Sequence, residues 1–298
     1  MNTLPAADVL SSVTLSDERR RFITSLTPLL GDGEARAVTR LAIEIVTGWS
    51  QVDIAVRDRD FLSEFLLDRL EKVLARLMKG EPVQYVVGFA PFHGNLYRVT
   101  PATLIPRPET SQLVDIILDD CGSRPDLHVF DIATGSGCIA IALARSLPFA
   151  RVEAIDISPE AIDVARDNAS RLRARVDFSC ADMLRLSPPP TPCFDVIVSN
   201  PPYITPSEAA EMERSVLDFE PHTALFAPAS DPILFYRAIA GYSVKALKPG
   251  SALYLEINPL QADTLVAMLL TCGFASAEVL LDDRRIRRFI VAKLPSQS

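Results

Sequence analysis

The chain has 298 residues, of which 48% are hydrophobic and 23% are charged, and its formal net charge is −8. This length suits two domains with a large core, and the acidic balance disfavours binding to nucleic-acid phosphates through a broad basic face. The five cysteines form no C-x-x-C pair and the three histidines lack metal-ligand spacing, so we expect free thiols in a reducing compartment and no metal site.

The N-terminus carries Asp8 and has no basic start followed by a continuous apolar stretch, so we expect no signal peptide. No run of about 18 apolar residues occurs, so we expect no membrane-spanning segment. Together with the free thiols, these features predict a cytoplasmic protein.

From about Asp17 to Lys79, apolar residues recur at three- and four-residue spacing, which predicts helices. The helical stretches are RFITSLTPLL, EARAVTRLAIEIVTGW and RDFLSEFLLDRLEKVLARLMKG. In the last of these, one apolar stripe is formed by Phe61, Phe65, Leu66, Leu70, Val73, Leu74 and Leu77. We therefore predict a small helical bundle over residues 1–80, which serves either as a structural cap or as a module that docks a partner.

Residues 81–107 interleave Pro, Gly and aromatic residues with β-branched ones, which predicts a short hairpin and a linker. Beyond this segment, short apolar runs alternate with helical stretches. The predicted strands are LHVFDI, ARVEAIDI, RVDFSC, FDVIVS, SALYLEI, SAEVLL and RRFIVAK. The predicted helices are CIAIALARSL, SPEAIDVARDNASRL, ILFYRAIAGYSVKAL and PLQADTLVAMLLTC. This alternation predicts an α/β domain over residues 108–298 with a parallel sheet of seven strands, whose last two strands pair antiparallel at an edge.

The first strand of this domain leads into DIATGSGCIA, residues 131–140. Glycines at a strand-to-helix turn let a ligand approach the backbone, so Ala133, Thr134, Gly135, Ser136 and Gly137 are candidate cofactor-binding residues. The same letters also fit the NAD fingerprint. Asp131 favours S-adenosylmethionine instead, because a carboxylate can pair with the α-amino group of that cofactor.

Three further positions complete the predicted cofactor site. Asp156 ends the next strand, where a carboxylate can accept the hydrogen bonds of a ribose diol, and Ile157 follows it. After the third strand, Asp182 and Met183 are placed to reach an adenine ring with one polar and one apolar contact.

The motif Asn200-Pro201-Pro202-Tyr203 follows the fourth strand, at the end where ligands bind in open α/β sheets. The prolines have no N–H, so this backbone offers only acceptors. The Asn200 oxygen and a proline carbonyl can therefore accept both hydrogens of a planar –NH2 group, and Tyr203 can cover its flat face. We predict that these residues are catalytic, and that the acceptors stabilise the charge that develops on nitrogen during methyl transfer.

Several motifs along the chain resemble the release-factor glutamine N5-methyltransferase family (HemK/PrmC). They are GEPVQYVVG, PFHGNLYRVTPATLIPRPET, DIATGSGCIAIALA, VSNPPYI, FEPHTAL and LEINPLQ. The resemblance implies a Rossmann-like class I methyltransferase domain and S-adenosyl-L-methionine as cofactor. It also implies that the substrate is the glutamine of the GGQ loop in class I peptide-chain release factors.

The resemblance also assigns roles to residues. Asn200 to Tyr203 hold the substrate glutamine, and Asn200 also borders the cofactor. Arg107 and Glu109 support substrate binding, and the helical bundle contributes to docking of the release factor. The protein is expected to act in translation termination as a monomer, without direct contact to nucleic acid or membrane.

Three residues depart from the family pattern and bear on cofactor affinity. Ala133 replaces the usual first glycine, Met183 stands where an aromatic residue is common, and Ser111 stands where an acid is usual.

Two alternatives stay open at this point. The same –NH2 slot fits the amino group of a flipped adenine, and the only basic cluster for a nucleic acid is Arg284, Arg285, Arg287 and Arg288. The second alternative is a non-catalytic, protein-binding scaffold that keeps a cofactor fold.

Overall fold

The structure is a computed structural model that describes residues 10–122 and 124–296. It divides into two compact units. The described residues up to Phe89, together with Arg214–Phe219, form the first unit. The second unit comprises Ala90–Glu213 and the described residues from Glu220 onward.

The first unit is mainly helical around one apolar core. Its helices are α1 (Leu15–Leu30), α2 (Asp32–Thr47), α3 (Gln51–Val56), α4 (Glu64–Leu77), α5 (Val83–Val87) and α9 (Arg214–Phe219). Its strands are β1 (Leu10–Thr14) and β2 (Phe61–Ser63), which pair antiparallel. Helix α1 begins before the predicted stretch because Thr14 and Asp17 form a reciprocal capping box there.

The apolar stripe predicted over residues 61–77 forms only in part. Phe61 belongs to strand β2, and α4 begins after the Ser63 N-cap. Phe65 is 64% exposed, whereas Leu70 is buried. Adjacent residues of an α-helix differ by about 100° around its axis, so Phe65, next to Leu66, faces away from the stripe.

The second unit contains the predicted sheet of seven strands. They are β5 (His128–Ile132), β6 (Arg151–Asp156), β7 (Asp177–Cys180), β8 (Phe194–Ser199), β9 (Leu247–Glu256), β10 (Ser276–Leu281) and β11 (Arg287–Lys293). Their order in the sheet is β10-β11-β9-β8-β5-β6-β7, and β11 runs antiparallel to both of its neighbours. The predicted fold class, the parallel centre and the antiparallel edge are therefore confirmed.

Helices cover both faces of this sheet. They are α6 (Pro108–Cys121), α7 (Cys138–Ser146), α8 (Pro159–Leu172), α11 (Leu234–Ala246) and α12 (Ala262–Cys272). The short helix α10 (His222–Leu225) also belongs to this unit. One core packs α6, α7 and α8 against one face, and a second core packs α11 and α12 against the other. Neighbouring residues such as Val129 and Phe130 of β5 enter opposite cores, as the alternation of side chains along a strand requires.

Two elements near residues 81–121 differ from the prediction. The hairpin forms from β3 (Phe89–Phe92) and β4 (Asn95–Arg98), but helix α5 precedes it within the segment predicted as hairpin and linker. Helix α6 was not predicted, although Pro108 at its first turn is a typical helix-start signal.

Within the described ranges, no helix is both long and apolar enough to cross a bilayer. Over the same residues, no group of three or more His, Cys, Asp or Glu side chains could hold a metal ion.

Candidate active site

A cavity opens at the carboxyl ends of the parallel strands β5, β6, β7 and β8, where ligands bind in open α/β sheets. Its empty space, including the part open to solvent, is about 860 Å³, which is large enough for a cofactor. Ten predicted site residues line it: Arg107, Ala133, Thr134, Gly135, Ser136, Asp156, Ile157, Met183, Asn200 and Pro202. Six other predicted residues do not: Glu109, Asp131, Gly137, Asp182, Pro201 and Tyr203.

The loop between β5 and α7 forms one wall of the cavity. Ala133, Gly135 and Gly137 all have positive φ, at 61°, 55° and 79°. For Ala133 this left-handed conformation costs about 1–2 kcal/mol, which a glycine there would avoid. A Cβ on Gly135 would meet no atom within 4 Å. The cavity wall at Gly135 is therefore bare backbone that a ligand can approach closely.

Asp131 lies behind this loop and is fully buried. Its Oδ2 accepts hydrogen bonds from Thr134 Oγ1 at 2.6 Å and from the Ala140 N–H at 3.2 Å. Its Oδ1 has no hydrogen-bond partner among the described residues. The carboxylate thus holds the loop and the start of α7, while direct pairing with a ligand ammonium stays a prediction.

Burial raises the pKa of the Asp131 carboxyl to about 7, and the hydrogen bonds from Thr134 and Ala140 oppose that shift only in part. Because this folded pKa exceeds the ordinary value of 3.8, the folded chain keeps a proton that the unfolded chain releases. The contribution of Asp131 to the free energy of unfolding should therefore fall as pH rises from about 4 to about 7, by at most about 1.4 kcal/mol per pH unit.

Asp131→Asn, which cannot ionise, should lose that part of the pH dependence. Denaturant titrations of both proteins across this window measure the difference. Parallel curves would contradict the raised pKa.

Asp156 lies at the end of β6, on the cavity wall. Its Oδ2 accepts from the Gly135 N–H at 2.8 Å and its Oδ1 from the Ser158 N–H at 3.0 Å. Each oxygen keeps a further acceptor position for a ribose hydroxyl. Burial raises the pKa of this carboxyl as well. Next to it, Ile157 is 58% exposed and offers an apolar surface to a flat base.

Of the two residues predicted to reach the adenine, Met183 lines the cavity and Asp182 does not. Met183 lines the cavity, whereas the Asp182 carboxylate accepts from the Leu184 N–H at 2.9 Å and caps a 3-10 turn over Met183–Arg185. Met183 is therefore placed for the predicted apolar contact to an adenine, and the polar contact through Asp182 stays a prediction.

A buried asparagine connects the loop to the hairpin. The Asn168 side chain on α8 accepts from the Arg98 N–H at 2.6 Å and donates to the Arg98 and Ser136 carbonyls, each at 2.9 Å. Both of its N–H groups and one lone pair of its oxygen are thus used to hold β4 and the cofactor loop.

Asn200 follows β8 directly and lines the cavity. Its Nδ2 donates to Thr110 Oγ1 at 3.3 Å, and among the described residues no group donates to its Oδ1. Pro201 and Pro202 are buried and add no N–H. The acceptor slot for an –NH2 group stays a prediction, which these contacts leave room for.

Backbone and side-chain bonds fix the chain after Tyr203. The Ile204 N–H donates to the Leu225 carbonyl at 3.0 Å, and the Ala227 N–H donates to the Ile204 carbonyl at 2.9 Å. Asn258 Nδ2 donates to the Tyr203 carbonyl at 3.3 Å. The motif is held rigidly from its C-terminal side.

The Tyr203 ring packs against the core under the second face of the sheet. Its hydroxyl donates to Glu256 Oε1 at 3.2 Å, and Thr110 Oγ1 donates to Glu256 Oε2 at 2.7 Å. Burial raises the pKa of the Tyr203 hydroxyl, which therefore stays protonated at neutral pH. Burial also raises the pKa of Glu256, while Thr110, Arg288 and Tyr203 oppose that shift. Neither Thr110 nor Glu256 was predicted as a site residue.

Arg107 lines the cavity and pairs with the buried Glu220 at 2.5 Å. Glu220 also accepts from the Ile105 N–H at 3.1 Å. Glu220, from the FEPHTAL motif, thereby anchors the segment that precedes α6. Glu109 instead lies 3.7 Å from Arg284.

The basic cluster near the C-terminus is largely neutralised. Its ion pairs are Arg284–Glu109 at 3.7 Å, Arg287–Asp263 at 2.5 Å and Arg288–Asp282 at 3.4 Å. This arrangement does not favour a nucleic-acid face, which needs unpaired Lys and Arg.

Two family models match the chain. A methyltransferase domain matches residues 129–218, and the PrmC N-terminal domain matches residues 23–88.

Curated relatives match over most of the chain. The release factor glutamine methyltransferase of Bacteroides thetaiotaomicron is 42% identical over 87% of this chain and 92% of its own. That of Flavobacterium psychrophilum is 35% identical over 92% of this chain and 98% of its own. Among solved structures, a ribosomal protein L11 methylase from Lactobacillus delbrueckii aligns with a TM-score of 0.46 at 22% identity, over 67% of this chain and 85% of its own.

Proposed function

The chain belongs to the release factor glutamine methyltransferase family, and we propose that it transfers a methyl group from S-adenosylmethionine to a glutamine of a release factor. The acceptor is the side-chain amide nitrogen (N5) of the glutamine in the GGQ motif. The observation that carries this proposal is Asn200, which lines the same cavity as the cofactor loop and whose side-chain oxygen has no donor among the described residues.

The residues that line the cavity fit this cofactor. Asp156 can accept the ribose hydroxyls, Ile157 and Met183 can flank the adenine, and the Gly135 backbone allows close approach. When bound, S-adenosylmethionine supplies an electrophilic methyl group on a sulfonium.

An amide nitrogen is a poor nucleophile because its lone pair is delocalised into the carbonyl. Asn200 Oδ1 and a proline carbonyl accept the two N–H groups, and these bonds strengthen as positive charge develops on nitrogen. Holding the nitrogen in this rigid slot also supplies the orientation that the transfer requires.

No strong base is needed within this slot. Burial raises the pKa of the Tyr203 hydroxyl, so Tyr203 stays protonated at neutral pH and donates a hydrogen bond to Glu256 Oε1. The proton of the methylated amide leaves to solvent after the transfer. Tyr203 therefore acts by packing and position.

Incubation with labelled S-adenosylmethionine and a class I release factor tests the proposal. We expect one added methyl group on the GGQ peptide, located by mass spectrometry. A release factor with Gln→Ala in that motif is the matched control, and equal labelling of both would refute the assignment. Methylation of a DNA duplex in place of the protein would favour the adenine alternative.

We further propose that residues 1–80 dock the release factor. Residues 81–107 connect them to the methyltransferase domain at 108–298. The chain acts as a monomer in the cytoplasm. The match of the PrmC N-terminal domain to residues 23–88 supports the first of these roles. A release factor is a cytoplasmic substrate, which supports the proposed location in the cytoplasm.

A further inference from the structure

A buried chain of hydrogen bonds runs behind the substrate-amide site. It leads from Asn200 to Thr110 on α6, from Thr110 to Glu256 at the end of β9, and from Glu256 to Tyr203. Thr110 is 3% exposed and Glu256 is 1% exposed. The chain is made entirely by the side chains of these four residues.

The side chain of asparagine is ambiguous toward a ligand, because one end of its amide accepts and the other donates. A slot for an –NH2 group needs the oxygen end. If the amide were turned by 180°, Asn200 would present an N–H to the substrate amide, and two donors would face each other.

The hydrogen-bond inventory of Thr110 decides between the two orientations. Its hydroxyl has one hydrogen, and the 2.7 Å contact to Glu256 Oε2 uses it. Only lone pairs of Thr110 Oγ1 then remain for Asn200, so Asn200 must turn its NH2 toward Thr110. The Asn200 oxygen is thereby directed to the cavity.

In its ionised form Glu256 sets the direction of this chain, because a carboxylate only accepts hydrogen bonds. Its Oε2 takes the hydrogen of Thr110 and its Oε1 takes that of Tyr203. The Tyr236 hydroxyl donates to the Glu256 backbone carbonyl at 3.0 Å and holds the end of β9 in place.

We propose that Thr110 and Glu256 are positioning residues that fix the Asn200 amide with its oxygen toward the substrate, and so make the site selective for an –NH2 acceptor. This inference rests on the proposed function. Neither residue has to touch the reacting atoms, because both act through Asn200.

Thr110→Val and Thr110→Ser form the matched pair of variants that tests this. Valine keeps the shape but removes the hydroxyl, and serine keeps the hydroxyl. We expect Thr110→Val to lower kcat for amide methylation by about 10- to 100-fold, with cofactor Kd close to that of the unmodified chain. Its melting temperature should fall, because the buried Glu256 Oε2 loses its donor. Thr110→Ser should keep kcat within about threefold.

Glu256→Gln tests the second link. A glutamine can accept from Thr110 or donate to it, so both orientations of Asn200 become accessible, and kcat should fall between the values of the two Thr110 variants. An unchanged kcat would show that the carboxylate does not set the orientation.

The side-chain amide signals of Asn200 in ¹⁵N–¹H spectra, identified by their loss in Asn200→Ala, give a readout that needs no substrate. They should shift in Thr110→Val and stay near their original position in Thr110→Ser. Equal shifts, or equal kcat losses, in the two variants would overturn the proposal. Absence of release-factor methylation by the unmodified chain would instead count against the proposed function and leave the spectra decisive.

Discussion

Asn200→Ala is expected to lower kcat for glutamine methylation by about 100- to 1,000-fold, the usual effect of removing one group that stabilises transition-state charge. The cofactor Kd should stay within about threefold, because Asp156 and the loop at Gly135 remain in place. Steady-state kinetics with a release factor and calorimetry with S-adenosylhomocysteine measure the two quantities separately.

Asp156→Ala serves as the control with the opposite pattern. It removes the carboxylate whose oxygens accept from Gly135 and Ser158 and which we propose binds the ribose hydroxyls, so it should weaken cofactor binding first. If Asn200→Ala lost cofactor affinity and turnover to the same extent, Asn200 would have to be assigned to the cofactor alone.

Gly137→Ala should destabilise the second unit by about 3 kcal/mol. Gly137 has a φ of 79°, which costs an L-residue about 1–2 kcal/mol. A Cβ there would also lie 3.0 Å from Ile141 Cδ1, 3.1 Å from Ala165 Cβ and 3.4 Å from Ala165 Cα. Such overpacking against Ile141 and Ala165 adds about 1–3 kcal/mol. Denaturant unfolding followed by circular dichroism measures the loss.

Gly135→Ala separates the two causes. Gly135 also has positive φ, but a Cβ there meets no atom within 4 Å. This variant should lose only the conformational part of the stability, and it should bind cofactor more weakly because the new methyl group enters the cavity. Identical unfolding midpoints for the two variants would show that the contacts to Ile141 and Ala165 do not lower the stability.

The sheet could be predicted from the sequence because its strands are short apolar runs separated by amphipathic helices. β8 is fully buried and β5 nearly so, as expected for a parallel sheet covered on both faces. The place of Asn200 followed from this, since a residue just after a central strand lies at the ligand-binding edge.

The supporting residues could not be predicted in the same way. Thr110 and Glu256 are 146 residues apart in the chain, and only the packing of α6 against β9 brings them together. Both stand in motifs that resemble the family, Thr110 at the end of PFHGNLYRVTPATLIPRPET and Glu256 in LEINPLQ, but a shared motif does not show which side chains meet.

Asp182 and Asp131 show the opposite problem, because local chemistry competes with the predicted role. An Asp at the start of a turn readily accepts the N–H two residues later, as Asp182 does from Leu184. Asp131 likewise accepts from Thr134 and Ala140. Spacing placed both residues near the cavity but could not show that one oxygen of each already accepts a local hydrogen bond.

The hydrogen bonds of Asn168 couple the local unfolding of two segments of the second unit. One amide holds the backbone of Arg98 and that of Ser136, so breaking its bonds releases the hairpin and the cofactor loop together. Local unfolding in proteins proceeds in such cooperative groups. A ligand that orders the loop should therefore also protect the hairpin at residues 89–98 from local unfolding, even though the ligand does not touch the hairpin.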